Sequence, residues 1–289
     1  MADTNPQDVP EVVVGVDGSS IALRAVAWAV AEARSRGVPL RIVHAAPYAT
    51  DATTRGRARA ILARAYTVAH RAEPGVTAHT HQLDRPPTPA LTATGEHAAL
   101  LVVGMIGERP DEVVIGSHAL ALAGTAPCPV AVVRGHHTWA SGAAPVLVGV
   151  SGTGPDPAAL DTAALDIAFA DAQRHASPLI VLHAHRGRDP VESALRDALG
   201  PWRARYPDVP VDLIIDGRPS ADALLHAAAA ARLVILGNRR RGRTARAVLG
   251  STSHALIRHS PCPVIVVNPD AATAHIRSAP ADATTRSTS

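Results

Sequence analysis

The residues with the most chemistry in their spacing lie late in the chain. Gly237 and Asn238 precede Arg239, Arg240, Arg241 and Arg243, and nine residues from Arg241 to Leu249 lead to Gly250-Ser251-Thr252-Ser253. A loop that leaves the carboxyl end of a strand and opens a helix offers an anion free backbone N–H groups and the positive end of a helix dipole. Glycine lets phosphate oxygens approach the backbone, and guanidinium groups bind phosphate in bidentate fashion. The plainer readings are that the three hydroxyls only cap the helix and that the arginines form a solvated basic loop.

Other chemistries fit less well. Gly149-Val150-Ser151-Gly152-Thr153 resembles a nucleophile elbow, but Thr153 stands where the second glycine belongs. Gly152-Thr153-Gly154 runs into Pro155-Asp156-Pro157, so the dinucleotide fingerprint fails too. Among fifteen histidines, the closest pairs are His79/His81, His183/His185 and His254/His259. The first two pairs have the i,i+2 spacing that shares one face of a strand, but no third ligand accompanies them, and solvated or capping histidines are expected. No metal is expected. All 28 basic residues are arginine, which closes P-loop and Schiff-base mechanisms, since both need lysine.

These residues must be positioned by ordinary α/β elements. Hydrophobic residues make up 47% of the 289 and aromatic ones 2%, so the cores must be filled by Ala, Val, Leu and Ile. A net charge of +3, with arginine spread along the chain outside 239–246, gives no reason to expect nucleic acid. The first residues carry no basic-then-apolar leader, and no apolar run nears the ~20 residues of a membrane span, so no membrane association and a cytoplasmic location are expected. Cys128 and Cys262 each sit in Pro-Cys-Pro-Val and read as small buried hydrophobes.

The chain repeats itself. Val12–Gly18 (VVVGVDG) matches Val146–Gly152 (VLVGVSG), and Gly116–Val133 matches Gly250–Val267, both offset by 134 residues. GVPLRIVHA (37–45) matches ASPLIVLHA (176–184), and LVVG (101–104) matches VILG (234–237). The order of blocks is the same, so the chain is a duplication. Strand-type runs fall near 11–16, 38–45, 76–82, 100–104 and 128–133, then near 145–150, 178–184, 209–215, 232–237 and 263–267. Helical patterns near 20–36, 55–72, 88–98 and 117–125 alternate with the first set. Runs apolar on both faces, such as Val264–Val267, imply parallel sheets covered by helices on each side. The expected division is an extension at 1–9, domains at 10–135 and 145–268, a linker at 136–144 and a disordered tail at 269–289.

Three features resemble the universal stress protein family: VGVDGS (14–19) ending the first strand, a Gly-rich loop after the fourth strand that closes with Gly-Ser, and a last helix running into PCPVxVV. The resemblance covers both halves and implies two tandem α/β domains, each an open five-stranded parallel sheet in the order 3-2-1-4-5 with helices on both faces. It also implies that the last strands of the two domains pair across a two-fold axis. An apolar edge strand is hazardous unless paired, so an intramolecular pseudo-dimer of the repeats is expected, with a homodimer of chains as a further possibility.

Nucleotide-binding members of the family carry G-x2-G-x9-G-(S/T) in that loop. By that resemblance the candidate contacts in the second repeat are Val150, Ser151, Gly237, Asn238, Arg240, Gly250, Ser251, Thr252 and Ser253, although Arg240 replaces the middle glycine and Ser151 the acid. In the first repeat they are Asp17, which resembles the family's nucleoside-contacting acid, with Gly104, Gly107, Gly116 and Ser117. There only eight residues precede Gly116, and they include Asp111 and Glu112, which would repel phosphate. Two functions therefore stand: a stress-response regulator that binds an adenine nucleotide, ATP, mainly in the second domain, or a stress-related interaction and dimerisation module without nucleotide. No catalytic residue is named by the sequence, and an enzyme is not expected.

Overall fold

The computed structural model describes residues 10–105, 117–134, 144–151, 161–187, 191–238 and 249–268. Residues 136–143 of the expected linker, the tail 269–289 and the loop 239–248 lie outside them. Repeat 1 runs β1 (Glu11–Gly15), α1 (Ser20–Arg36), β2 (Leu40–Ala45), α2 (Ala52–Ala72), β3 (Ala78–Leu83), α3 (Pro87–Thr94), β4 (Ala98–Met105), α4 (Ser117–Thr125) and β5 (Val130–Arg134). Repeat 2 runs β6 (Val146–Val150), α5 (Thr162–Arg174), β7 (Leu179–Ala184), α6 (Val191–Ala198), α7 (Gly200–Arg205), β8 (Val211–Asp216), α8 (Ser220–Ala228), β9 (Leu233–Gly237), α9 (Ser251–His259) and β10 (Val264–Val267).

The sheet order is β3-β2-β1-β4-β5-β10-β9-β6-β7-β8. Each repeat contributes five parallel strands in the order 3-2-1-4-5, as expected, and the two sets fuse into one ten-stranded sheet. The junction is antiparallel, with Val264 opposite Val132, Ile265 opposite Ala131 and Val266 opposite Val130. All six residues are at most 1% exposed. The last strands thus cover each other's edges within one chain, which answers the hazard of two bare apolar strands.

Alternate residues along each strand feed two separate cores. Val12, Val14, Val146, Val148 and Ile265 pack under α1 and α5, whereas Val13, Val132, Leu147, Val234 and Val266 pack on the opposite face with α4, α8 and α9. Each core runs through both repeats. Helix α1 can lie this close because its inner face is small: Ala22, Ala25, Ala29 and Ala33 recur at helical spacing and are all buried. The helix expected over 88–98 is shorter than its pattern, since α3 ends at Thr94, a single 3-10 turn follows at Gly95–His97, and Ala98 already belongs to β4. Gly95 lets this turn pack closely, since a Cβ there would lie 3.0 Å from Cys128 Sγ. Both cysteines are free and buried, and burial raises their thiol pKa, to about 12 for Cys128 and about 11 for Cys262. Among the described residues, no helix is long and apolar enough to cross a membrane.

Where α1 and α5 meet, a polar cluster lies inside the first core. Glu32 is 2% exposed and Asp171 fully buried. Arg232 bonds Asp171 and reaches Glu32 Oε1 at 3.5 Å, Arg36 pairs with Glu32 and lies 3.9 Å from Asp171, and Arg174 lies 3.3 Å from Asp171. His175 Nε2 stands 3.6 Å from Glu32 and 3.8 Å from Asp171. Glu32, Asp171 and His175 converge closely enough to suggest a cation site, but three guanidiniums already answer the two carboxylates. The cluster therefore locks repeat to repeat.

Candidate functional site

In an open parallel sheet, a ligand crevice forms at the carboxyl ends of the strands where the strand order reverses. In repeat 2 that place lies between β6 and β9, flanked by β7. The structure puts Val150 and Ser151 at the end of β6, Gly237 and Asn238 at the end of β9, and Gly250–Ser253 at the start of α9, so the second-repeat candidates share one rim of the sheet. Arg240 and the other loop arginines lie outside the described residues.

Helix α9 begins after Gly250 (φ −64, ψ 154), and no side chain caps it. The starts of α3, α7 and α8 are likewise without a side-chain cap, whereas α1, α2 and α5 are capped by Ser19, Asp51 and Asp161. The expectation that these hydroxyls merely cap the helix is thus not met at the capping position. Ser251 is exposed, Thr252 half-buried and Ser253 buried. Free N–H groups at this end of a nine-residue helix are suited to an anion.

Two candidates are otherwise committed. The Asn238 amide donates through Nδ2 to Asn268 Oδ1 at 2.8 Å, and Asn268 donates to the Ala126 carbonyl of repeat 1 at 2.8 Å, so Asn238 belongs to the bond between repeats. Gly237 lies under the carboxylate of Asp161: a Cβ built on it would fall 1.3 Å from Asp161 Oδ2. Asp161 also accepts from the Ala164 N–H at 3.2 Å as the cap of α5. The sequence reading missed this acid because a longer strand-helix connection in repeat 2 hides its correspondence with repeat 1.

The repeat-1 candidates serve the backbone. Asp17 Oδ1 accepts from the Ser19 N–H at 2.8 Å, and Ser19 Oγ accepts from Ala22, so these side chains shape the turn in which Gly18 takes φ +88. A Cβ on Gly104 would lie 2.9 Å from Ile21 Cγ2 and 3.1 Å from the Ala22 nitrogen; here glycine permits close packing of α1 on β4. Ser117 opens α4, while Gly107 and Gly116 lie outside the described residues.

The histidines divide. His254 and His259 are exposed on α9. His79 meets Glu11 at 3.0 Å and sets its ring 5.4 Å from that of His81, whose pKa is lowered by burial and by Arg41. His44 and His183 are buried equivalents at the ends of β2 and β7. Nδ1 of each bonds the last carbonyl of the neighbouring strand region, that of Val16 at 2.7 Å and that of Val150 at 3.1 Å. His183 is therefore a capping histidine but not a solvated one. A groove of about 690 Å³ lies at the opposite, amino-terminal rim of repeat 1, beside Val38 and Val76, where Arg34 and Glu73 already pair at 2.9 Å.

The model of the Universal stress protein family matches residues 10–134 and again 144–268. Universal stress protein Rv2005c of Mycobacterium tuberculosis is 29% identical over 295 residues, covering 91% of this chain and 98% of its own. Universal stress protein Rv2028c of the same organism is 31% identical over 274 residues, covering 89% and 96%. The crystal structure of a universal stress protein from Archaeoglobus fulgidus superposes with a TM-score of 0.73 at 19% identity, over 89% of this chain and 98% of that one. With two matched segments, a duplicated α/β fold and relatives aligned along nearly their whole length, the chain belongs to the universal stress protein family, as a tandem member carrying two copies of the family domain.

Proposed function

We propose that the protein is a cytoplasmic stress-response regulator that binds an adenine nucleotide, ATP, in repeat 2, and that it binds rather than turns over its ligand. The observation that carries this reading is the uncapped start of α9 at Gly250, placed beside the reversal of strand order between β6 and β9. The backbone N–H groups of Ser251–Ser253 take the phosphate, and the ends of β6 and β7 face the nucleoside. In repeat 1, Asp17 and Ser19 are engaged in the turn between β1 and α1.

One observation favours the other reading, an interaction module without nucleotide. The Asp161 carboxylate lies against Gly237, on the rim where the phosphate would arrive. Purified protein, denatured and examined by absorbance and mass spectrometry, separates the two readings: stoichiometric adenine nucleotide supports binding, and its absence together with no ATP uptake supports the module. Since β5 and β10 are spent on each other, a homodimer of chains would form through another surface, such as the edge strands β3 and β8.

A further inference from the structure

The two repeats treat one equivalent histidine differently. In repeat 1, His44 Nδ1 meets the Val16 carbonyl at 2.7 Å and Nε2 meets the Tyr48 hydroxyl at 2.7 Å. A carbonyl only accepts, so the proton sits on Nδ1, and Tyr48 donates to Nε2. In repeat 2, His183 Nδ1 donates to the Val150 carbonyl in the same way, and the ring is 2% exposed. Its Nε2 is buried and has no partner among the described residues. The offset that relates 37–45 to 176–184 places Gly187 where repeat 1 has Tyr48. No side chain can stand there as the site is arranged, because a Cβ on Gly187 would come within 2.3 Å of His185 Nε2. The His185 ring instead lies nearly parallel to that of His183, 5.8 Å away and inclined by 20°, and its own Nε2 is also buried without a partner.

A buried acceptor without a donor costs about 1–3 kcal/mol, so native structures rarely leave one unmet. What would fill this one is a donor. A metal ion is a poor candidate: imidazole ligands bring no charge to offset a buried cation, Arg186 follows them, and the nearby Asp216 carboxylate is already held by Arg218 at 2.5 Å. A neutral N–H fits. The Val150 carbonyl marks the end of β6, and His183 lies on β7, one strand beyond it and two strands from β9, where α9 begins its approach. Two strand spacings are about 10 Å, comparable to the length of a nucleoside phosphate.

Resting on the nucleotide reading above, we propose that His183 is the base-selecting residue of repeat 2, its Nε2 accepting a hydrogen bond from the exocyclic amino group of a 6-aminopurine with the His185 ring alongside. In repeat 1 the Tyr48 hydroxyl occupies the corresponding position, which closes that repeat to the base.

The test is calorimetric titration of the full chain with ATP and with ITP, whose 6-oxo group accepts where the amino group donates. The unmutated protein should prefer ATP by about tenfold, the worth of one hydrogen bond to a buried acceptor. His183→Asn keeps an amide donor for the Val150 carbonyl and removes the Nε2 acceptor; it should bind both nucleotides alike, at the level of ITP. Equal affinities in the unmutated protein, or a preference that survives in His183→Asn, overturn the assignment while leaving the nucleotide site standing. Binding of neither nucleotide overturns both. If His183→Asn does not fold, N6,N6-dimethyl-ATP asks the same question of the unmutated protein: about tenfold weaker binding than ATP is expected, and equal binding contradicts the role of His183.

Discussion

Glu32 and Asp171 occupy the same position of the two repeats and meet in the core between α1 and α5, both contacted by Arg232. A duplicated domain that pairs with its own copy brings equivalent residues together near the symmetry axis. Two like charges would repel there. The pairing stands because the repeats differ around that position: Arg232 of repeat 2 corresponds to Ala99 of repeat 1, and Arg36 of repeat 1 to His175 of repeat 2. Removing Arg232 should leave two buried carboxylates short of a partner. Arg232→Ala is expected to lose about 3–5 kcal/mol of stability in urea unfolding, far more than an exposed pair such as Arg196 with Glu192 would cost.

The same cluster fixes a pH dependence. Burial alone would raise the Asp171 pKa, but Arg232, Arg36 and Arg174 together outweigh it and hold the carboxyl below the ordinary carboxylate range. An acid whose pKa is depressed on folding contributes stability above its unfolded value, near 3.9, and that contribution is lost as pH falls through the folded value. Burial lowers the His175 pKa, so protonation of the unfolded chain should also erode stability as pH drops below about 6.5. Unfolding free energies measured from pH 7 to pH 3 should fall steeply for the unmutated protein and less steeply in acid for Asp171→Asn.

A second difference between the repeats lies just beyond these helices. Gly37 takes the left-handed conformation after α1, with φ +66, and its equivalent Ala176 takes φ +48 after α5. Alanine is strained there by about 1–2 kcal/mol. Ala176→Gly should therefore stabilise the protein by roughly 1 kcal/mol, even though it loosens the unfolded chain, and raise the melting temperature by about 2–4 °C in calorimetry.

The antiparallel seam is the third point of attack. Val266 faces Val130 across it and is fully buried. Val266→Asp places an unpaired charge in a core shared by both repeats, and the expected result is unfolding or aggregation, read by light scattering and near-ultraviolet circular dichroism. A variant with unchanged stability and size would show that the seam does not hold the repeats together.

The fold was legible because strand and helix periodicities recur in the same order in both halves, and because Val264–Val267 is apolar on both faces. The antiparallel junction followed from the family resemblance and from the need to cover two apolar edges. The site was only partly legible. Gly250–Ser253 could be placed on the correct rim from its spacing, but spacing could not say that Asn238 turns to Asn268 or that Asp161 covers Gly237, since both depend on which strands become neighbours. The Glu32 and Asp171 cluster was hidden for the same reason: each is an acid on an alanine-rich helix, and only the pairing of repeats buries them together. A signal existed, in that both acids interrupt an otherwise apolar face at the same position of the alignment.

Asp161 gives a gain-of-function test. Asparagine caps a helix about as well as aspartate, so Asp161→Asn should preserve α5 while removing the negative charge beside Gly237. ATP affinity should rise several-fold, roughly 1 kcal/mol, with the largest effect at low ionic strength. Unchanged affinity across salt concentrations would place the phosphate elsewhere.

The most direct test of the central claim is calorimetric titration of ATP into the full chain and into Gly250→Asp and Asp17→Ala. At Gly250 a Cβ meets nothing within 4 Å, and aspartate is a favoured capping residue, so this variant should fold at least as well while setting a carboxylate where the phosphate belongs. One ATP should bind per chain, with binding abolished by Gly250→Asp and unaltered by Asp17→Ala. Binding that survives Gly250→Asp and is lost in Asp17→Ala would place the ligand in repeat 1, and no measurable binding by the unmutated protein would contradict the nucleotide reading altogether.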